Sequence, residues 1–211
     1  DIVNQAGIAP KTDLKKTVDG YRARRGEIRI LEVPATRYLA VDGSGDPNTS
    51  PAYVAAIEAL YPLAYALKFG ARETLGRDHV VPPLEGLWSA DDMASFTTAR
   101  DKSRWSWSLM ILIPEWIDSA AVDAAIAAAT DAGPRAAEVR EERLDEGRCV
   151  QTLHVGSFDD EGPMLARMHD EVIPAHGMRM TGRHHEVYLS DFRRVPAERR
   201  RTILRQPVTP A

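Results

Sequence analysis

The chain has 211 residues, 44% of them hydrophobic, which is enough to bury a full core as one large domain or two fused halves and argues against disorder. Its 27 Lys and Arg against 31 Asp and Glu leave a net charge of −4, so nothing in the overall charge draws it to nucleic acid or to an anionic membrane. Its one cysteine, Cys149, excludes an internal disulfide; no stretch reaches the length of a membrane span and no signal peptide is visible, so the chain reads as cytoplasmic.

Residues 1–26 are polar, with a short helical possibility around Asp13-Leu14-Lys15-Lys16, and are expected to form an arm lying on the body. Ile28 to Val33 and Arg37 to Val41 read as strands separated by Pro34, followed by the loop Asp42-Gly43-Ser44-Gly45-Asp46-Pro47-Asn48. Ser50 and Pro51 make an N-cap and N1 pair, and Val54, Ile57, Leu60, Tyr61, Ala64 and Leu67 predict a helix as far as Gly70, kinked at Pro62. Strands are expected near 79–88 and 104–113, then an alanine-rich helix from about Ser119 to Asp131.

The same order then returns. Strands near 138–144 and 148–155 flank Asp145-Glu146-Gly147, which reads as a hairpin turn, and an acidic Asp159-Asp160-Glu161 opens a helix through Leu165, Met168 and Ile173. Strands near 183–189 and 202–208 close the unit. The fold class is therefore α+β, a duplicated strand-strand-helix-strand-strand unit whose repeats span about 27–134 and 135–208 of one domain, with 209–211 as a tail. The arginines from Arg193 to Arg205 read as a solvated face and a charged edge strand, which makes nucleic acid an unlikely partner.

Two glutamates stand out because each sits in a short apolar strand: Glu85 in Leu84-Glu85-Gly86-Leu87-Trp88 and Glu186 in His185-Glu186-Val187-Tyr188-Leu189. A carboxylate is tolerated there only beside a wet cleft or a partner. Strand alternation puts His184, Glu186 and Tyr188 on one face, and that face is assigned to a groove while His185, Val187 and Leu189 meet a helix. A bulge at Gly86 is expected to bring Trp88 round beside Glu85. Trp105 and Trp107 share a strand face with Leu109 and Ile111, and serve either as a core ridge or as an aromatic wall for a flat ligand. The six histidines show no ligand spacing and no phosphate loop is present, so neither a metal nor a cofactor is expected. Cys149, within an apolar run, reads as a buried inert thiol.

Asp13-Leu14-Lys15-Lys16, the stretch Tyr38 to Asn48, Pro83 to Trp88, Asp101 to Trp107, Leu153 to Pro163 and His184 to Asp191, in this order, resemble the stand-alone GyrI-like small-molecule-binding proteins, from about Asp13 to Val208. The resemblance implies pseudo-twofold symmetry and a central hydrophobic ligand cleft, in a module that senses drugs in some transcription regulators. Some members are cyclopropanoid hydrolases, which open the strained ring of DNA-alkylating natural products such as yatakemycin. By that resemblance Glu186 and Tyr188 carry the reaction, with tryptophans clamping the flat ligand; the candidate ligand-binding residues are Glu85, Leu87, Trp88, Trp105, Trp107 and His184. Ser89 stands where the family often has a second aromatic after Trp88. The partner expected is a flat aromatic small molecule; the alternatives are a non-catalytic drug binder, a sequestering protein or sensor with a protein partner, or a gyrase modulator.

Overall fold

The computed structural model describes residues 10–90, 101–129, 133 and 135–211. A short helix α1 (Leu14–Thr17) precedes β1 (Ile28–Val33), β2 (Thr36–Ser44), α2 (Pro51–Leu75), β3 (Leu84–Ser89), β4 (Ser106–Leu112) and α3 (Ser119–Ala128). There follow β5 (Arg140–Leu144), β6 (Gly147–Val155), a helix made of α4 (Gly162–Ala166), a π-helical stretch Arg167–Val172 and α5 (Ile173–Ala175), then β7 (Met178–Met180), β8 (His184–Tyr188) and β9 (Arg201–Pro210). The α+β class holds.

The strands form a large antiparallel sheet in the order β1-β6-β9-β8-β3-β4-β2-β5, with β7 added against β9. Read inward from its two ends, the sheet runs β1-β6-β9-β8 and β5-β2-β4-β3, so β1 and β5 each lie beside strands distant in sequence. That corrects the hairpin expected at Asp145-Glu146-Gly147: β5 pairs with β2 and β6 pairs with β1, so the two strands flanking the turn do not pair with each other. The physical reason is Glu146, which turns into the interior to meet His185 and Arg205 and draws the chain across the molecule.

Helix α2 runs past Gly70 and through Pro62, which lies on its exposed side, and ends where Gly76 adopts a left-handed φ of 64°. By length and composition α2 could cross a bilayer, but half of its apolar stretch is buried inside the protein. It packs Ile57, Leu60, Leu63 and Leu67 on Leu39, Val41, Leu109 and Ile111. The helix over 162–175 covers the same sheet face farther along, through Leu165, Met168 and Ile173 against Val150 and Leu204. The opposite face meets the arm: Leu14 and Tyr21 pack with Tyr38, Leu87, Met110, Val187 and Ile203. Alternation along β8 is as expected, but the coverage is reversed, since the helices lie over the Glu186 side. Strand β9 continues two residues beyond Val208 because β7 pairs with Pro210, so 209 and 210 belong to the sheet.

Beneath the arm lies a buried ionic group. His185, fully buried, faces Glu85 Oε1 with Nε2 and Glu146 Oε1 with Nδ1, each at 2.8 Å. Glu146 is held in its ionised form and the His185 pKa is raised, so the ring favours the imidazolium, which donates from both nitrogens. Arg205 adds a second positive charge, donating to Glu146 at 3.4 Å, to Gln151 and to the Gly20 carbonyl, while the Tyr21 hydroxyl donates to Glu85 at 2.5 Å. Two positive and two negative charges cancel in the interior. Arg205 is therefore no part of a solvated face, and β9 is flanked by β6 and β8 rather than lying at an edge. Cys149 is buried and its thiol is pushed up to about 12 by burial, as expected of an inert side chain.

Two predictions follow from this packing. A Cβ on Gly43 would lie 2.1 Å from the Trp107 ring on the neighbouring strand, so Gly43→Ala is expected to destabilise by about 1–3 kcal/mol in urea unfolding. Burial opposes both charges in the His185–Glu146 pair, but their attraction and hydrogen bonds win, raising the His185 pKa and lowering that of Glu146. The His185 contribution is complete below its ordinary 6.5 and is lost as pH rises through the raised folded value; the Glu146 contribution is present above its ordinary 4.5 and is lost as pH falls through the lowered one. His185→Leu should cost about 3–5 kcal/mol and flatten the alkaline loss of stability, read from urea midpoints against pH.

Candidate functional site

Where β8 and β3 lie side by side in mid-sheet, between α2 and the helix over 162–175, the structure encloses a cavity of about 50 Å³. Its sheet floor is set by register. Trp88 pairs with His184 and Gly86 with Glu186, so these residues and Tyr188 emerge on the helix-covered face. Tyr53 from α2, Leu165 from α4, and Trp105, Phe158 and Glu161 from the connections complete the walls.

The polar groups form a chain. Trp88 Nε1 donates to the Tyr188 hydroxyl at 2.9 Å, and that hydroxyl donates to Glu186 Oε1 at 3.1 Å. His184 Nε2 meets the other carboxylate oxygen, Oε2, at 2.9 Å. Glu186 is only 7% exposed, and burial alone would favour its neutral form; the hydrogen bond and charge of His184, with the hydrogen bond from Tyr188, hold it below the ordinary carboxylate range instead. Burial and the nearby Glu186 charge push the Tyr188 phenol well up, so it stays protonated and donates. An ionised carboxylate and a permanent phenolic donor thus share one small apolar chamber.

Gly86 makes this possible. A Cβ there would lie 2.6 Å from Trp88 Nε1 and 3.0 Å from the Tyr188 hydroxyl, so the Trp88 to Tyr188 bond passes over the bare glycine. The pairing through Gly86 is continuous on both sides, from Leu84 to Ser89 against β4 and from Glu85 to Trp88 against β8, and the expected bulge is absent. Without a bulge Trp88 reaches the cavity by simple alternation, and Glu85 cannot accompany it.

Glu85 and Leu87 therefore stand on the other face. Glu85 belongs to the His185 group, and Leu87 packs with the arm's Tyr21, so neither reaches the cavity. Trp107 is 1% exposed and stacks edge-on behind Tyr53 at 5.2 Å, a core ridge rather than a wall. Trp105 does line the cavity, 5.4 Å from Trp88 and nearly perpendicular to it. Of the residues expected around a ligand, Trp88, Trp105, His184, Glu186 and Tyr188 are brought together, and Glu85, Leu87 and Trp107 are not.

Tyr53, Phe158 and Glu161 were not anticipated. Glu161 lay within an acidic run that reads as the solvated start of a helix, yet it is 3% exposed and reaches Glu186. Tyr53 sits one turn into α2, where the hydrophobic spacing marks it as core; Phe158 stands 5.7 Å edge-on to Tyr188. Lys102 pairs with Asp159 at 2.7 Å, tying the segment before Trp105 to the turn that carries Phe158 and Glu161. Behind His184, the π-helical stretch presents His169, its ring 6.3 Å away; burial and the neighbouring His184 push His169 down to about 4, so it is neutral. Among the described residues, no group of three or more His, Cys, Asp and Glu could hold a metal ion.

Residues 26–208 match the GyrI-like small molecule binding domain. An uncharacterized conserved protein from Listeria innocua is 33% identical, with a TM-score of 0.83, over 94% of this chain and 100% of that one. A hydrolase from the same organism is 32% identical with a TM-score of 0.78, at the same coverage. The C-terminal domain of EcmrR shares the fold alone, at 9% identity and a TM-score of 0.53 over 88% of this chain and 98% of that one. No curated protein matches this sequence. With the family match spanning most of the chain, and two Listeria proteins alike over their whole length, this chain belongs to the GyrI-like small-molecule-binding family.

Proposed function

We propose that the chain binds flat, largely apolar molecules in the cavity between its helices and hydrolyses an electrophilic one, a cyclopropanoid, by opening its ring. The observation that carries this reading is the buried, ionised Glu186 hydrogen-bonded to a permanently protonated Tyr188 within an aromatic chamber. The Listeria innocua neighbour described as a hydrolase supports a hydrolytic reading over simple retention.

A strained ring conjugated to a carbonyl needs little covalent help. Glu186 takes a proton from water as the water oxygen bonds to the ring CH₂; the ring C–C bond breaks, and its electron pair flows to the conjugated oxygen. Once Glu186 has taken the water proton, Tyr188 turns its one O–H from Glu186 to the substrate oxygen and meets the charge growing there, while Trp88 holds the phenol through Nε1. The proton returns to that oxygen and the net change is the addition of one water. At about 50 Å³ the closed cavity has room for a water or two, against roughly 300–1,000 Å³ for drug-sized ligand sites, so the walls must part for substrate. The Lys102–Asp159 pair, which ties the segment before Trp105 to the turn carrying Phe158 and Glu161, is one contact that such parting would strain.

A second reading has its own support. His184, Tyr188 and Glu161 all engage Glu186, and a carboxylate so held, ringed by Tyr53, Trp88 and Trp105, suits a flat cation retained without reaction, as in a sequestering or sensor protein.

Incubating the protein with a cyclopropanoid and following it by mass spectrometry decides between them. Turnover to a product heavier by one water is expected, reduced about 10²- to 10⁴-fold by Glu186→Gln and about 10²- to 10³-fold by Tyr188→Phe. Binding without product would establish the retaining protein. The pH profile of kcat/KM should be flat between the ordinary carboxylate value of 4.5 and the ordinary tyrosine value of 10.0, because Glu186 lies below the first and Tyr188 above the second. A limb near neutrality would assign the base to another group.

A further inference from the structure

The arm leaves a second concavity on the sheet face opposite the cavity, about 830 Å³ in volume, with Tyr21, Gln151 and Leu189 among its lining residues. Around it stand Lys15, Lys16, Arg22, Arg24, Arg29 and Arg201 against Asp13, Asp19 and Glu27. Six positive groups against three negative leave +3 on this one surface of a chain whose total is −4.

The cations divide by what they already do. Arg29 grips Asp19 and the carbonyls of Asp19 and Arg22, and Arg22 donates to the Lys16 carbonyl, bonds that fix the arm's path. Lys15, Lys16, Arg24 and Arg201 are exposed, and none forms an ion pair among the described residues. The groove is held in shape by two of its arginines, leaving four cations to meet something else.

We propose that this groove binds a small molecule bearing a chain of phosphates. A single anionic group would satisfy one or two of the four unpaired cations, whereas successive phosphates span several at once. The volume lies within the range of small-molecule sites, and all four cations line this one hollow. A long polyanion would run out over a surface whose net charge is negative, which argues against nucleic acid. The source is either a short inorganic phosphate chain such as tripolyphosphate or a nucleoside triphosphate.

Isothermal titration of the full chain with tripolyphosphate and, separately, with ATP tests this. Binding is expected at low salt, weakening as salt is raised, and falling at least tenfold in the double variant Arg24→Glu with Arg201→Glu. Equal affinity for the two ligands assigns the phosphate chain alone as the determinant, and tighter ATP binding adds the nucleoside; either supports the site. Should the double reversal unfold the chain, as judged by circular dichroism, Arg24→Ala with Arg201→Ala replaces it with the same expectation. No binding of either ligand, undiminished binding by the folded variant, or displacement of tripolyphosphate by a short DNA duplex at lower concentration would overturn the proposal.

Discussion

The charge-balanced group of Glu85, His185, Glu146 and Arg205 is the constraint on which the rest depends. It joins β3, β8, β9, the connection before β6 and, through Gly20 and Tyr21, the arm. Removing one charge leaves its partners buried and unpaired, so the group favours only the arrangement that satisfies all four. It also fixes the register of β8. A slip of one residue would turn Glu186 toward Glu85 and Glu146 and send the imidazolium to the opposite side, setting like charges together on one face. The ionic group thus decides where Glu186 points, although it touches the cavity nowhere.

On the other face Glu186 meets a different set of neighbours. The same strand carries a histidine that completes a buried ion group and a glutamate exposed to a chamber, one residue apart. Back to back, the two faces differ: one is locked by full mutual satisfaction, the other holds an ionised carboxylate on the wall of a small cavity. A rigid layer behind a pocket is the arrangement that keeps the pocket's polar groups in fixed positions.

Much of the element order was legible because helix and strand periods differ and glycine and proline mark their ends; Glu186 and Tyr188 were correctly grouped because alternation is a local property. What alternation cannot supply is which face of a strand lies toward which layer when both are covered. In β3 and β8 nearly every residue is buried, so no polar stripe marks the outside. From the sequence Glu85 therefore groups with Glu186, and Leu87 with Glu85. The crossing of β1 and β5 was hidden because a glycine-containing turn between two strands reads as a hairpin whether or not the strands pair, and only the burial of Glu146 betrays the difference. Glu161 resembles a solvated helix start until the fold turns it inward.

The exchanged first strands carry a consequence for how the molecule can be divided. Since β1 lies against β6 and β5 against β2, a cut between α3 and β5 yields two fragments, each carrying the strand that borders the other's sheet. Neither fragment could complete its sheet alone, and two copies of either would lack the partner strand. The two pieces are bound as clasped hands are, each holding a strand that the other's sheet requires.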